Sequence, residues 1–322
     1  MKEYNIVVAS DKNYIGFVSV LFASILANKK KDENIIFHIL ANNIPSPQIQ
    51  QIKEQIGNNG LYVYPITDFQ KKLHTTLPDT IAITAYARLL LADILPETVN
   101  EVLYLDCDII VNQSLSRIFS LDISNYAVAG VLDTLPNMES KRKIGLQEND
   151  PYINSGVLYI NLRKWRIDQI KDHFINFLLQ HNGCVHHHDQ GIINAVLNKS
   201  KLIIGPEFNL TSNYFTHKYN YLKKRNNPFY TYEEIERAKK NPIIIHFTEG
   251  FLDRPWVIGS KHPFKNKFLI YKKASIIADE PLQISKKNWY VKLLGYEFTH
   301  LPLIFYQTTS LLLSLLSKLI KK

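Results

Sequence analysis

The sequence predicts an α/β domain on a mostly parallel sheet, with its chemistry gathered where the strands end. Three observations carry this reading. Apolar runs of strand length alternate with helix-length amphipathic segments from Asn5 to Tyr64, the pitch of βαβ units. Later apolar runs lead into or end on titratable residues, namely Asp106, Asp133 and His246. No internal repeat or low-complexity linker interrupts the chain, so one domain is expected over residues 1–265 and a basic tail over 266–322.

The elements follow in order. Asn5 to Ala9 is the first strand, Ser10 to Tyr14 a polar loop, and Ile15 to Ala27 a helix by its apolar spacing. Ile35 to Leu40 is a second strand, ended by Ala41-Asn-Asn43. Pro45 to Ile56 is an amphipathic helix and Leu61 to Tyr64 a third strand. Val102 to Leu105 runs into Asp106-Cys-Asp108, Ala127 to Leu132 into Asp133, and Pro242 to Phe247 carries His246 near its end. In such sheets ligands bind beyond the carboxyl ends of the strands, which places these residues in the candidate site.

Bulk properties narrow the function classes. The chain has 322 residues, 46% of them apolar and 21% charged, enough for a large folded core and against disorder. Net charge is +9, and nine basic residues stand between Arg254 and Lys292 against Asp279 and Glu280. That asymmetry calls for an anionic partner. No aromatic-basic RNA motif or recognition-helix pattern is present, so nucleic acid is not expected. Cys107 and Cys184 form no disulfide framework, and the apolar stretch Ile6 to Ala9 is too short for a signal peptide. Both point to a reducing cytosol.

Asp106 and Asp108 are the centre of the chemistry. Residues two apart just beyond a strand project to one side, so both carboxylates can share a hard divalent cation while a diphosphate supplies further oxygens. His246 is the candidate third ligand. Two carboxylates and an imidazole suit Mn²⁺, with Mg²⁺ also possible, and suit Ca²⁺ poorly. The plain alternative for an Asp-x-Asp is a solvated turn or a helix cap. Cys107 lies between the two, and its side chain should face away as a small buried hydrophobe. The run His186-His-His188 invites a metal reading, but adjacent residues on one element cannot all face one ion.

Six ordered motifs go further: Ala9-Ser-Asp-Lys-Asn-Tyr14, Thr84-Ala-Tyr-Ala-Arg88, Leu103-Tyr-Leu-Asp-Cys-Asp108, Asn154-Ser-Gly-Val-Leu-Tyr-Ile-Asn-Leu162 with Trp165, His188-Asp-Gln-Gly-Ile-Ile-Asn194, and His246-Phe with Pro255-Trp256. In this order they resemble glycosyltransferase family 8, the retaining group that includes bacterial lipooligosaccharide galactosyltransferases and, more distantly, glycogenin. The resemblance runs from about Tyr4 to Phe268. It implies a GT-A-like fold, a UDP-galactose or UDP-glucose donor, Mn²⁺, and a glycan or glycolipid acceptor such as a lipopolysaccharide core. Ala9, Ser10, Asp11, Asn13 and Tyr14 then correspond to the uridine contacts. A carboxylate can accept the uracil N3–H, and a tyrosine ring can cover the base. Asp11 or Asn13 could equally cap the helix that follows. Arg88 corresponds to a donor-sugar or phosphate contact, with a surface ion pair as its alternative. Asp133, Asn154 and Ser155 correspond to the sugar pocket.

Asp189 and Gln190 correspond to the catalytic pair near the anomeric carbon. Two retaining routes are open. One is double displacement through a covalent intermediate. The other is front-face substitution, in which the leaving phosphate takes the acceptor proton. The second is preferred because an amide is a poor nucleophile. One departure from the family stands out: the phosphate loop usually reads His-Phe/Tyr-x-Gly-x-x-Lys-Pro-Trp. Here Gly250 comes one position later, the loop is two residues longer, and Arg254 replaces lysine. Arginine can still grip a phosphate.

The preferred function is therefore retaining hexosyl transfer. A nucleotidyltransferase also uses strand-end aspartates, but residues 9–16 hold Gly16 alone and not its glycine-rich loop. A catalytically silent UDP-sugar-binding or membrane-surface protein is the alternative from another class. For the tail, Lys286, Lys287, Trp289, Tyr290, Lys292 and Tyr296 mix basic and aromatic groups suited to an anionic headgroup region. From Thr308 the pattern is helical, with Ser310, Ser314, Ser317 and Lys321 on one stripe and Leu312, Leu315, Leu316, Leu319 and Ile320 mainly on the other side. Pro302 and Lys318 break the run needed to span a bilayer. The expectation is a protein held peripherally on the inner face of the cytoplasmic membrane, with packing of this helix on the domain as the alternative.

Overall fold

The computed structural model describes residues 2–66, 83–134 and 136–320. The first five elements alternate as predicted: β1 (Lys2–Asp11), helix Ile15–Asn28, β2 (Glu33–Asn42), helix Ser46–Ile56 and β3 (Gly60–Pro65). Next come β4 (Glu101–Leu105), β5 (Ile109–Val111), β6 (Val128–Leu132), β7 (Ile153–Asn161), β8 (Lys201–Ile204), β9 (Leu210–Thr211) and β10 (Ile244–His246). A seven-stranded sheet runs in the order β3-β2-β1-β4-β7-β6-β8, and a small one in the order β5-β10-β9. Among the described residues of the large sheet, β7 alone is antiparallel to its neighbours, β4 and β6. The mostly parallel sheet is thus confirmed.

The order reverses at β1, which has β2 on one side and β4 on the other. That switch point opens a crevice beyond the strand ends. Side-chain alternation along β1 sends Ile6 and Val8 into one core, with Phe22, Phe37 and Tyr159. Val7 goes into the opposite core, with Tyr86, Tyr104 and Trp165. Both faces of the sheet are covered, which is why its strands read as continuous apolar runs.

A third cluster brings together Val20, Ile110, Phe247, Trp256, Phe268 and Ile277. Through it helix Lys265–Lys273 packs against helix Ile15–Asn28. The chain ends in helices Trp289–His300 and Leu303–Ile320. The second begins earlier than the pattern from Thr308 suggests, and Lys321 of the expected polar stripe lies outside the described residues. Among the described residues no helix is long and apolar enough to cross a membrane.

Candidate metal and donor-sugar site

The two sheets meet where the chemistry was expected. The chain leaves the large sheet at Leu105 and enters the small one at Ile109, so Asp106-Cys-Asp108 forms the crossing. β10 pairs antiparallel with β5, placing His246 opposite Ile109. Phe247 N–H donates to the Asp108 carbonyl at 2.8 Å, and Asp106 N–H to the Gly156 carbonyl at 2.8 Å. Ordinary ladder bonding thereby brings together residues far apart in sequence. His246 Nε2 lies 3.0 Å from Asp108 Oδ1 and 3.9 Å from Asp106 Oδ2.

One ligand atom from each of Asp106, Asp108 and His246 lies within 4.8 Å of the others, the one such group among the described residues. Two carboxylates and an imidazole within this span fit a divalent cation of the Mn²⁺ or Mg²⁺ type. Burial alone would raise the Asp108 pKa, but His246 and then Arg254 outweigh it and hold the carboxyl below its usual range. Conversely, burial would lower the His246 pKa, and Asp108 and Asp106 reverse the shift. The site is built around negative charge, and cationic side chains stand against it.

Gly156 explains how three ligands fit so closely. A Cβ there would stand 2.3 Å from His246 Cε1 and 2.7 Å from Asp106 Oδ2. No side chain is compatible with that approach.

Arg88 is not the surface pair weighed above. It is 5% exposed and grips two carboxylates, Asp106 Oδ1 at 2.9 Å and Asp189 Oδ2 at 3.1 Å. It also donates to the Ser155 carbonyl at 2.5 Å and lies over the Tyr104 ring at 4.3 Å. Burial opposes its charge, yet Asp106, Tyr104 and Asp189 raise its pKa. Asp189 is itself buried and its pKa is raised by that burial, with Arg88 opposing.

Ala9, Ser10, Asp11, Tyr14, Arg88, Asp106, Cys107, Asp108 and Arg254 line one cavity of about 250 Å³. Asp11 Oδ1 accepts from the backbone N–H of Asn13 and Tyr14, at 2.8 and 3.1 Å. It shapes the turn before the helix, and neither Asp11 nor Asn13 is the helix N-cap, a position held by Tyr14. Tyr14 is 44% exposed at the cavity mouth. Asn13 lines a neighbouring cavity of about 470 Å³ with Tyr14 and Arg254. The Cys107 thiol donates to the Ala9 carbonyl at 3.1 Å, and burial pushes its pKa up. It clasps β4 to β1 as a thiol.

Asp133, Asn154, Ser155 and Gln190 form one hydrogen-bonded group. Gln190 Nε2 donates to Asp133 Oδ2 at 2.7 Å, and Gln190 Oε1 accepts from Ser155 N–H at 2.9 Å. Asn154 Nδ2 stands 3.5 Å from Asp133 Oδ2. Ser155 Oγ donates to Asp189 Oδ2 at 3.2 Å. The histidine run has a local role: His187 Nδ1 meets Tyr152 Oη at 2.8 Å, and its ring stacks on His186.

Arg254 closes the site from the lengthened loop. It reaches Asp108 Oδ2 at 3.1 Å and the Phe247 carbonyl at 3.0 Å. Gly250 sits against Asn213, whose Oδ1 would stand 2.9 Å from an added Cβ. Sequence reasoning passed over Asn209 and Asn213. Both are buried, and Asn209 Oδ1 accepts from His246 Nδ1 at 3.0 Å. Asparagine beside a two-residue strand carries no signal that could have pointed to this role.

Comparison with known proteins follows the same lines. A family model described as Glycosyl transferase family 8 matches residues 5–257. General stress protein A of Bacillus subtilis (strain 168) is 26% identical over 272 residues, 83% of this chain and 92% of that protein. A lipopolysaccharide 1,2-glucosyltransferase of Escherichia coli (strain K12) is 28% identical over 258 residues, 78% of this chain and 72% of that protein. Among solved structures, the galactosyltransferase LgtC in complex with donor and acceptor sugar analogs aligns with a TM-score of 0.70 at 23% identity. That alignment covers 86% of this chain and 98% of LgtC. The likeness shows a shared GT-A-like fold.

Proposed function

The chain belongs to glycosyltransferase family 8, and on that premise we propose that it transfers galactose or glucose from a UDP-sugar to a glycan hydroxyl, with retention. The acceptor we favour is a lipopolysaccharide or lipooligosaccharide core, the class of molecule named for the Escherichia coli relative. The observation that carries the proposal is the Asp106, Asp108 and His246 group at the wall of a cavity lined by Asp11, Tyr14 and Arg254. Bound to these three residues, Mn²⁺ would neutralise the charge developing on the departing UDP. Arg254 stands beside Asp108 and can turn from that carboxylate to a phosphate, keeping a guanidinium at the leaving group. Tyr14 and Asp11 serve the uridine, while Asp133 and Asn154 face the sugar hydroxyls.

Geometry at Gln190 supports front-face substitution. Both atoms of its amide are engaged, the oxygen by Ser155 and the nitrogen by Asp133. The carboxylate beside it, Asp189, is held by Arg88 and Ser155. Neither is poised as a nucleophile. Asp189 instead places fixed negative charge near the anomeric centre, which favours the oxocarbenium-like transition state.

The proposal extends to the tail. Trp289 is 71% exposed and Tyr296 57%, beside Lys286 and Lys292. This mixture suits an anionic membrane surface, where a glycolipid acceptor would lie.

A donor panel tests the assignment. UDP release from UDP-galactose or UDP-glucose, with an α anomeric proton signal in the first-formed product, is expected. A β signal overturns the retaining mechanism, and release from neither donor overturns the substrate class.

A further inference from the structure

We infer that Asn209 is a positioning residue that fixes the tautomer of His246 and so presents Nε2 as a ready ligand. This deepens the proposed metal centre and rests on it. The backbone N–H of Gly156 can only donate. It donates to Asn154 Oδ1 at 3.0 Å. That contact fixes the orientation of the Asn154 amide, with its oxygen inward.

The same oxygen meets Asn209 Nδ2 at 2.9 Å, so Asn209 turns its nitrogen to Asn154. Its oxygen then faces His246 Nδ1 at 3.0 Å. A carbonyl oxygen can only accept, so Nδ1 carries the hydrogen. The remaining ring nitrogen, Nε2, is the one aimed at Asp108 and Asp106. A neutral imidazole in this tautomer offers its Nε2 lone pair to a cation lying between the two carboxylates.

Burial makes the arrangement strict. Asn209 is 0% exposed and His246 4%. An unpaired Nδ1–H there would carry the full desolvation penalty, so the ring cannot exchange Asn209 for water at little cost. The same chain reaches the sugar side, because Asn154 Nδ2 lies 3.5 Å from Asp133 Oδ2. Partners of this kind around a ligating histidine typically change metal affinity by ~10–100-fold when removed.

The test is Mn²⁺ affinity, read by the electron paramagnetic resonance signal of free Mn²⁺, with and without UDP. Asn209→Leu keeps the branched shape and removes the acceptor. It is expected to weaken Mn²⁺ about 10–100-fold. In a His246→Ala background the Asn209→Leu penalty should shrink to about threefold or less, because the residue acts through the ring. Should Asn209→Leu fail to fold, Asn209→Ala takes its place in both comparisons. Equal Mn²⁺ affinity in the native and leucine variants overturns the inference, as does a penalty that persists without His246. If the native chain binds no Mn²⁺ with or without UDP, the metal centre itself is wrong, and this inference falls with it.

Discussion

Asp106 and Asp108 sit two residues apart, yet their environments are unequal. Asp108 faces His246 and Arg254, whereas Asp106 gives one oxygen to the buried Arg88. Asp108→Asn is therefore the cleaner probe, expected to lower the transfer rate ~100-fold or more at little cost in stability. Asp106→Asn should lose activity and stability together, because it takes one of two carboxylates from Arg88. Arg88→Ala strands both Asp106 and Asp189, and about 3–5 kcal/mol of stability should be lost in urea unfolding. A native-like midpoint for Arg88→Ala would show that the pair is not structural. The grouping of Asp106, Asp108 and His246 was legible in the sequence because carboxylates at a strand end and a later strand-end histidine are chemically distinctive. Arg88 was legible as a site residue but not as a bridge, since Asp189 reaches it only once helix His188–Val196 is docked on the sheet. Asn209 was illegible because its meaning resides wholly in its two partners.

The lengthened loop is the element whose shape the sequence left open. Phe251 enters an aromatic group with His217, Phe298 and Tyr306. Gly295 allows that approach, since a Cβ there would meet Phe251 at 2.9 Å. Beyond Pro281 the chain returns alongside. Gln283 exchanges backbone hydrogen bonds with Trp256 and Ile258, and Ser285 and Lys287 both reach Asp253. The tail thus braces the loop that carries Arg254. Phe251→Ala should raise the donor KM about tenfold, a loss of ~1.4 kcal/mol in binding, while circular dichroism stays native. An unchanged KM would mean that the brace does not position Arg254. Trp289→Ser with Tyr296→Ser alters exposed residues and should abolish flotation with anionic liposomes. If the double variant still floats, the membrane surface lies elsewhere. The motif Asn154–Leu162 was legible as a family feature, but periodicity did not mark it as β7. Its antiparallel course is set by pairing with β4 and β6 on either side, information that no local window contains.

At the scale of the whole molecule, buried His38 and His262 and half-buried His217 contribute to the acid sensitivity of the fold. Burial lowers the pKa of His38, His217 and His262 to about 4 in each case. The unfolded chain takes up protons on these residues near pH 6.5, and the folded chain does so only near pH 4. Stability is therefore full above the unfolded value and falls as pH drops through the window from 6.5 to 4. Each histidine contributes up to ~1.4 kcal/mol per pH unit. Urea midpoints at pH 7.5, 5.5 and 4.5 should decline in that order, and a flat series would contradict neutral burial. The α/β class and the large sheet's early strands were legible because alternating runs and strand-end polarity are local. Of the small sheet only β10 was legible, in the apolar run Pro242 to Phe247, since β5 and β9 are three and two residues long and exist through pairing. Yet it is this sheet that carries His246 to the aspartates. Metal-assisted transfer at that junction is tested most directly by UDP release from the native chain and from Asp108→Asn, each with Mn²⁺ or with EDTA. Turnover by the native chain with Mn²⁺ alone, lost in EDTA and lost in the variant, is the predicted result. Equal turnover in EDTA, or Mn²⁺-dependent turnover retained by Asp108→Asn, would contradict it.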